Sequence, residues 1–271
     1  MKIHILHCGT VSLPRYAPGK FEVTSLSDEK RRVTLPVCTY LIEHPRGLVL
    51  VDTGWCRDIS PEGVYSPAAS QKVLGAPLAA FYKPELKHGQ AVHEQLAACG
   101  IRPEDLELVI ITHLDPDHVS GVKHLKGAKR IIMPEDEYFW SCRTVYKLRQ
   151  PWKLWMNEGI ERVYYRGFGG VPNNWAIDVF GDETLYMVNL PGHTDGMCGV
   201  VAANGKRFAL MCADAGFSRR SWETLDVPGF GFDKELELKC LKWIKEISEK
   251  AGCVGVYASH DAEQAPRTIE F

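Results

Sequence analysis

Six consecutive residues, His113-Leu114-Asp115-Pro116-Asp117-His118, place two imidazoles and two carboxylates on one short stretch of chain. Imidazole nitrogen and carboxylate oxygen are the donors that hold first-row transition metals and hard divalent ions. A loop that only caps a helix needs one such residue, and Asp117 would serve for a helix beginning near Val119. Two His and two Asp exceed that need. Metal sites draw ligands from several parts of a chain, and three further residues qualify by where they stand. His193 follows an apolar run in Leu190-Pro-Gly-His-Thr-Asp-Gly196, and Asp214 follows another in Leu210-Met-Cys-Ala-Asp-Ala-Gly216. His260 follows a third in Tyr257-Ala-Ser-His-Asp261. Each of these alone reads as an ordinary loop residue. Strand ends that deliver His113, Asp115, Asp117, His118, His193, Asp214 and His260 to one rim make a dinuclear metal site, suited to metal-assisted hydrolysis.

Positioning such groups takes strands that end at a common edge. Residues 2–6, 37–43 and 48–51 read as strands, with His44-Pro45-Arg46-Gly47 as the turn between the last two. Residues 106–112 are nearly all apolar, the pattern of a strand buried on both faces. Further strands are expected at 184–190, 199–203, 207–212 and 254–258. A helix over 88–99 carries Val92, Leu96 and Cys99 on one face and stops at Gly100. Another over 234–250 presents Leu236, Cys240, Leu241, Ile244 and Ile247, with Asp233 as its N-cap. Residues 55–87, rich in Ser, Pro, Gly and Ala with scattered aromatics, predict a lid insertion. Residues 134–158 predict a helical, aromatic-rich insertion broken at Pro151. The 271 residues show no repeat and no linker, so a single domain over 1–271 is expected, of mixed α/β class with helices covering the sheets.

Composition excludes several functions. Lys and Arg number 32 against 34 Asp and Glu, a net charge of -2, which gives no field for nucleic acid. Apolar runs such as 48–51 and 108–111 fall far short of the roughly 20 residues that span a bilayer. The opening Met-Lys-Ile-His-Ile-Leu-His alternates like a strand rather than a signal peptide, so a cytoplasmic protein without membrane partners is expected. Nine cysteines, an odd number with no C-x-x-C pair, argue against a disulfide framework or a zinc knuckle. Most of them read as small buried side chains. Arg143, Lys147, Arg149 and Lys153 read as a solvated helix face, and the aromatics of 138–155 as core. His4, His7, His44, His88, His93 and His124 have no partner motif.

The ordered set Asp52-Thr-Gly, His113-x-Asp115-x-Asp117-His118, His193, Asp214 and His260 resembles the metallo-β-lactamase superfamily of metal-dependent hydrolases, whose central motif is H-x-H-x-D-H. Its flanks are most similar to the N-acyl homoserine lactonase-like branch. They are Pro36-Val-Cys-Thr-Tyr-Leu-Ile-Glu-His-Pro-Arg-Gly ahead of Val51-Asp-Thr-Gly, and Pro191-Gly-His-Thr. The resemblance runs from about residue 2 to 260. It implies an αββα sandwich of two mixed sheets flanked by helices, with metals at one edge. It further implies one ion on His113, Asp115 and His193, a second on Asp117, His118 and His260, and Asp214 bridging both. Asp52 would support the site without binding an ion. By the same likeness a metal-bridging hydroxide attacks an ester-like bond, in a lactone or related acyl compound, while Asp117 shuttles a proton to the leaving group. The implied cofactors are two divalent ions, Zn, Fe or Mn. The implied partner is a small-molecule substrate, with a homodimer left open.

Two positions depart from the family pattern. Asp115 stands where the motif has its second His, and a carboxylate there favours manganese or iron over zinc. Lactonases of this branch carry a Tyr three residues beyond the bridging Asp, and the residue here is Phe217. Phe cannot donate a hydrogen bond, which leaves Tyr65 or Tyr82 of the lid as stand-ins. A carboxylate at the Asp115 position also occurs in flavodiiron-type proteins, so a di-iron redox protein is one alternative. Such proteins need a flavin domain, for which nothing follows Phe271. A phosphodiesterase or nuclease of the same superfamily is the other, against which the near-neutral charge counts.

Overall fold

Strand alternation sends neighbouring side chains to opposite faces, and here both faces of each sheet are covered. The computed structural model describes residues 1–14, 17, 32–143 and 159–271. The chain runs β1 (Lys2–Pro14), β2 (Arg32–His44), β3 (Gly47–Val51), α1 (Pro67–Leu74), α2 (Ala76–Phe81), β4 (Lys83–Glu85), α3 (Val92–Ala98) and β5 (Leu106–Ile110). It continues through α4 (Pro116–Val119), β6 (Ile131–Pro134), α5 (Glu135–Cys142), β7 (Glu161–Val163), β8 (Arg166–Gly167), β9 (Trp175–Asp178) and β10 (Leu185–Asn189). Last come β11 (Cys198–Asn204), β12 (Arg207–Met211), α6 (Arg219–Thr224), α7 (Lys234–Ser248), β13 (Cys253–Tyr257) and β14 (Thr268–Glu270). One sheet has the order β14-β1-β2-β3-β5-β6-β7 with β4 beside β1, and the other β13-β12-β11-β10-β9-β8. Both are mixed: β3, β5, β6 and β7 run parallel, as do β12 and β13, while the remaining pairs are antiparallel.

Val49, Val51, Leu108 and Ile110 face Met187, Val200 and Met211 across the space between the sheets. Their neighbours Leu50, Val109 and Ile111 point the other way, into a cluster with Val92 and Leu96 of α3 and Val119 of α4. Outside the second sheet, Val188 and Leu210 pack on Cys240, Leu241 and Ile244 of α7. The layers are therefore helices, sheet, sheet, helices, the αββα sandwich expected. In α7 the Asp233 side chain accepts from the backbone N–H groups of Glu235 and Leu236, worth about 1 kcal/mol. Each fully buried Leu or Ile of its inner face contributes roughly 1.5–3 kcal/mol more. Among the described residues no helix is long and apolar enough to cross a membrane.

Two expectations of secondary structure need correction. Residues 55–87 are more ordered than an irregular lid: they form α1, α2 and β4, and Trp55, Cys56, Ile59, Leu74, Tyr82 and Leu86 are buried in the core. Their aromatics are apolar anchors under the first sheet rather than isolated rings in a loop. Strands β1 and β2 extend well past residue 6 and start before residue 37, because Val11, Leu13, Val33 and Leu35 continue the buried alternation between polar neighbours. The insertion at 134–158 begins as α5, with Trp140 buried and Phe139 exposed. Residues 144–158, with Pro151, Trp152 and Trp155, lie outside the described residues.

One pair of otherwise unassigned histidines predicts acid sensitivity. His93 on α3 and His124, in the 3-10 turn Ser120–His124, stack at 4.0 Å with 24° between ring planes. Burial, then the neighbouring His93, pushes His124 down from 6.5 to about 4, and burial lowers His93 as well. The unfolded chain therefore binds more protons than the native one in this window, so stability present above pH 6.5 is lost as pH falls toward about 4. Melting curves at pH 7 and pH 5 should differ less for His124→Phe, which keeps the stack, than for the wild type. Equal differences would remove the pair from the account.

Candidate metal centre

The Asp/His stretch leaves β5 and enters α4 directly. Pro116 is the first helical residue, where its fixed φ suits the helix and its missing N–H goes unneeded. The helix therefore starts three residues before the expected Val119, and Asp117 and His118 lie inside it. Asp115 occupies the N-cap position, yet its side chain makes no capping hydrogen bond. The capping explanation of this motif fails. His193 stands in the turn after β10, Asp214 in the 3-10 turn Ala213–Ala215 after β12, and His260 just beyond β13. All seven candidate positions come together, and none is more than 3% exposed.

Ligand atoms of His113, Asp115 and His193 lie within 4.8 Å of one another, as do those of Asp117, His118 and His260, and of His113, His118 and Asp214. Asp214 spans the centre: Oδ1 is 3.3 Å from His118 Nε2, and Oδ2 is 3.2 Å from His260 Nε2 and 3.6 Å from His193 Nε2. Asp115 Oδ2 is 3.2 Å from His193 Nε2, and Asp117 Oδ2 is 3.5 Å from His260 Nε2.

Every imidazole is turned the same way. His118 Nδ1 donates to Asp52 Oδ2 at 2.8 Å, His193 Nδ1 to the Phe230 carbonyl at 3.0 Å, and His260 Nδ1 to the Pro36 carbonyl at 2.8 Å. Carboxylate and carbonyl oxygens only accept, so each Nδ1 carries a proton and faces outward, and Nε2 is the nitrogen left to give a lone pair to an ion. The Thr112 hydroxyl donates to Asp52 Oδ2 at 2.8 Å and so accepts from His113 Nδ1 at 3.0 Å. Asp52 thus orients one imidazole directly and another through Thr112. Its φ of +59°, in the left-handed region that Asp tolerates, turns the chain at the end of β3 back toward them. Gly121 permits the approach of the two loops, since a Cβ there would fall 2.2 Å from the Thr53 carbonyl oxygen.

Four lone pairs and three carboxylates facing one another need positive charge between them. Nε2 of His113 and of His118, and Oδ1 of Asp214, are buried without a hydrogen-bond partner. Such orphans cost about 1–3 kcal/mol each unless something fills the place. With protons as the sole cations, burial works against a charged His118, yet Asp214 and Asp52 hold it well above its ordinary value. Asp214 outweighs burial in the same way at His260. Burial, reinforced by His118, keeps His113 well below. Mixed imidazole and carboxylate donors around unfilled polar atoms fit two divalent ions.

A family model of the metallo-beta-lactamase superfamily matches residues 33–250. The chain belongs to the metallo-β-lactamase superfamily. Among curated relatives, an N-acyl homoserine lactonase from a Bacillus species is 28% identical over 237 residues, covering 85% of this chain and 83% of that protein. The N-acyl homoserine lactonase of Bacillus cereus is 27% identical, covering 97% and 94%. A solved N-acyl homoserine lactone hydrolase, with its product N-hexanoyl-L-homoserine at the catalytic metal center, shares the fold. Its TM-score is 0.75 at 23% identity, over 97% of this chain and 94% of that one. As a metallo-β-lactamase superfamily member with its His/Asp cluster assembled, the chain is a metal-dependent hydrolase.

Phe217, three residues beyond Asp214, is 2% exposed, and its ring lies 5.0 Å from that of His260 and 6.0 Å from that of His193. It closes the centre with apolar surface. The Tyr82 ring packs against Trp55 and Phe81. Phe81 meets Phe230 at 4.9 Å, and Phe230 lies 6.0 Å from His193. Sequence reasoning missed Phe230, Thr112 and Pro36, the outer partners of three imidazoles, and it missed Glu137. Only Thr112 had a signal, its place next to the first ligand. The described part of the basic run is a surface pair, Arg143 with Asp195 at 3.4 Å.

Proposed function

We propose that this metallohydrolase holds two divalent ions and opens the ring ester of a small lactone, with N-acyl homoserine lactones the substrate class to try first. The observation that carries the reading is the set of four imidazoles whose Nδ1 protons are all engaged outward, so that every Nε2 faces one buried centre. In this reading His113, Asp115 and His193 hold one ion, Asp117, His118 and His260 the other, and Asp214 reaches both. Bound there, two ions supply Lewis-acid polarisation of the ester carbonyl and water acidic enough to attack at neutral pH. The chain's own groups do the rest. Asp117 takes the proton of the attacking water on the carboxylate oxygen that the ion leaves free and passes it to the alkoxide oxygen as the ring C–O bond breaks. Phe217 and Phe230 exclude solvent and offer an acyl chain apolar walls, and Phe81 extends that wall to residues 55–87, which we take to border the cleft. The relatives named N-acyl homoserine lactonases support the substrate class. Asp115 gives the set a third carboxylate, and we assign manganese or iron rather than zinc on that ground. The cytoplasm is the compartment we favour, since all nine cysteines are free and reducing surroundings keep them so.

Protein loaded separately with Mn, Fe and Zn, offered lactones, thioesters, phosphodiesters and cephalosporins, tests the proposal. Lactone turnover that a chelator removes and added metal restores is the expected result; turnover of phosphodiesters alone refutes it. Phe217→Tyr is expected to raise kcat on lactones about tenfold, the worth of one hydrogen bond of about 1.4 kcal/mol to the carbonyl. An unchanged kcat would mean that another donor already serves.

A further inference from the structure

We infer that Glu137 is a positioning residue for one half of the centre, the group of His113, Asp115 and His193, an inference that rests on the dinuclear reading above. Glu137 lies in the first turn of α5 and is fully buried. Its two oxygens go to two different ligand loops. Oε1 accepts the backbone N–H of Leu114 at 3.0 Å, between His113 and Asp115. Oε2 accepts the hydroxyl of Thr194 at 2.6 Å, the residue after His193. One loop leaves the first sheet after β5 and the other leaves the second after β10. A single carboxylate therefore sets the spacing between ligands that opposite sheets contribute. The backbone enforces the same junction: Gly196 presses so closely on α5 that a Cβ there would fall 1.9 Å from Glu137 N. The group of Asp117, His118 and His260 has other supports, Asp52 behind His118 and the Pro36 carbonyl behind His260.

The chemistry of the side chain matters as well as its length. Leu114 offers only a donor, so it requires an acceptor opposite, whereas the Thr194 hydroxyl can turn to accept. Gln at position 137 satisfies both by placing its oxygen on Leu114 and its NH2 on Thr194. Leu satisfies neither and strands a buried N–H.

Metal uptake by the full chain tests the inference, with zinc alone and manganese alone as probes, read by metal counting and by chelator competition. Wild type is expected to hold two ions. Glu137→Leu is expected to keep one at wild-type affinity and to weaken the other about 10–100-fold, the scale found for groups behind metal ligands. Glu137→Gln should recover most of that loss. In a His193→Ala background, where this group is already broken, Glu137→Leu should change nothing further, since effects on one unit are not additive. Thr194→Val removes one of the two bonds and is expected to weaken the same ion, which keeps the test open should Glu137→Leu fail to fold. Wild-type affinity for both ions in Glu137→Leu and Thr194→Val, or equal weakening of both, overturns the inference. A wild-type chain holding fewer than two ions overturns the dinuclear reading, and this inference with it.

Discussion

Asp214→Ala is expected to lower kcat/KM by more than about 100-fold and to leave the protein with fewer than two bound ions. The magnitude follows from the fact that groups merely behind metal ligands already count for 10–100-fold. Asp214 is closer than that. It is the carboxylate whose oxygens reach His118, His193 and His260 together, at 3.2–3.6 Å. Burial opposes its ionisation, yet His260 and His118 hold it well below the ordinary carboxylate range, so its charge persists at any working pH. Removing it leaves both three-residue groups without their shared anion and opens a cavity between them. Asp214→Asn, which keeps the shape and one acceptor oxygen but loses the charge, should fall between the two. Metal counting beside steady-state rates decides the matter: two ions and wild-type turnover in Asp214→Ala would dismantle the centre as drawn.

Asp115→His is expected to change which metal is taken up and where activity begins on the pH axis. Asp115 Oδ2 lies 3.2 Å from His193 Nε2 and 3.9 Å from His113 Nε2, inside the first group rather than beside it. The wild-type donor set then carries three carboxylate charges, from Asp115, Asp117 and Asp214, and the variant two. A donor set with less negative charge leaves the ions more strongly acidifying. The acidic limb of the pH–rate profile should therefore move down, by about one unit for one charge at close range. Replacing a hard oxygen by imidazole should also raise the zinc share in cells grown on balanced Mn, Fe and Zn. Equal zinc shares and one common profile for both proteins would show that Asp115 does not tune the metal.

What the sequence made legible was whatever repeats locally. The apolar run at 106–110, the face of α7 with its Asp233 cap, and the crowding of two His and two Asp into six residues all declare themselves without a partner. His193, Asp214 and His260 were legible only as a set, because each is one polar residue after a strand. Glu137 and Phe230 gave no signal. An acidic residue in the first turn of a helix already has a sufficient local reason, its interaction with the helix dipole, and nothing near residue 137 indicates that Leu114 and Thr194 will meet there. The helices of residues 55–87 stayed hidden for a related reason. Pro67 and Gly75 look like loop punctuation, whereas one opens α1 and the other divides it from α2. Their apolar residues are too sparse to show a period, and they find their places only against the first sheet.

The two groups of candidate ligands have a further property in common: each takes members from both sheets, with His113 and Asp115 opposite His193, and Asp117 and His118 opposite His260. An ion at either place would join halves of the molecule that already meet through side-chain packing and a few hydrogen bonds, among them Cys198 N–H to the Thr112 carbonyl at 3.1 Å and His260 Nδ1 to the Pro36 carbonyl at 2.8 Å. Folding must therefore bring the two halves together before either set exists, and a growing chain presents residues 113–118 long before it has made His260. Metal uptake at a complete ligand set is therefore expected to follow the closing of the sandwich. Once acquired, an ion at a hundred times its dissociation constant adds about 2.7 kcal/mol to the folded state, a large share of what holds a domain together. Metal-depleted protein is therefore expected to melt at a lower temperature than metal-loaded protein, as well as to lose activity.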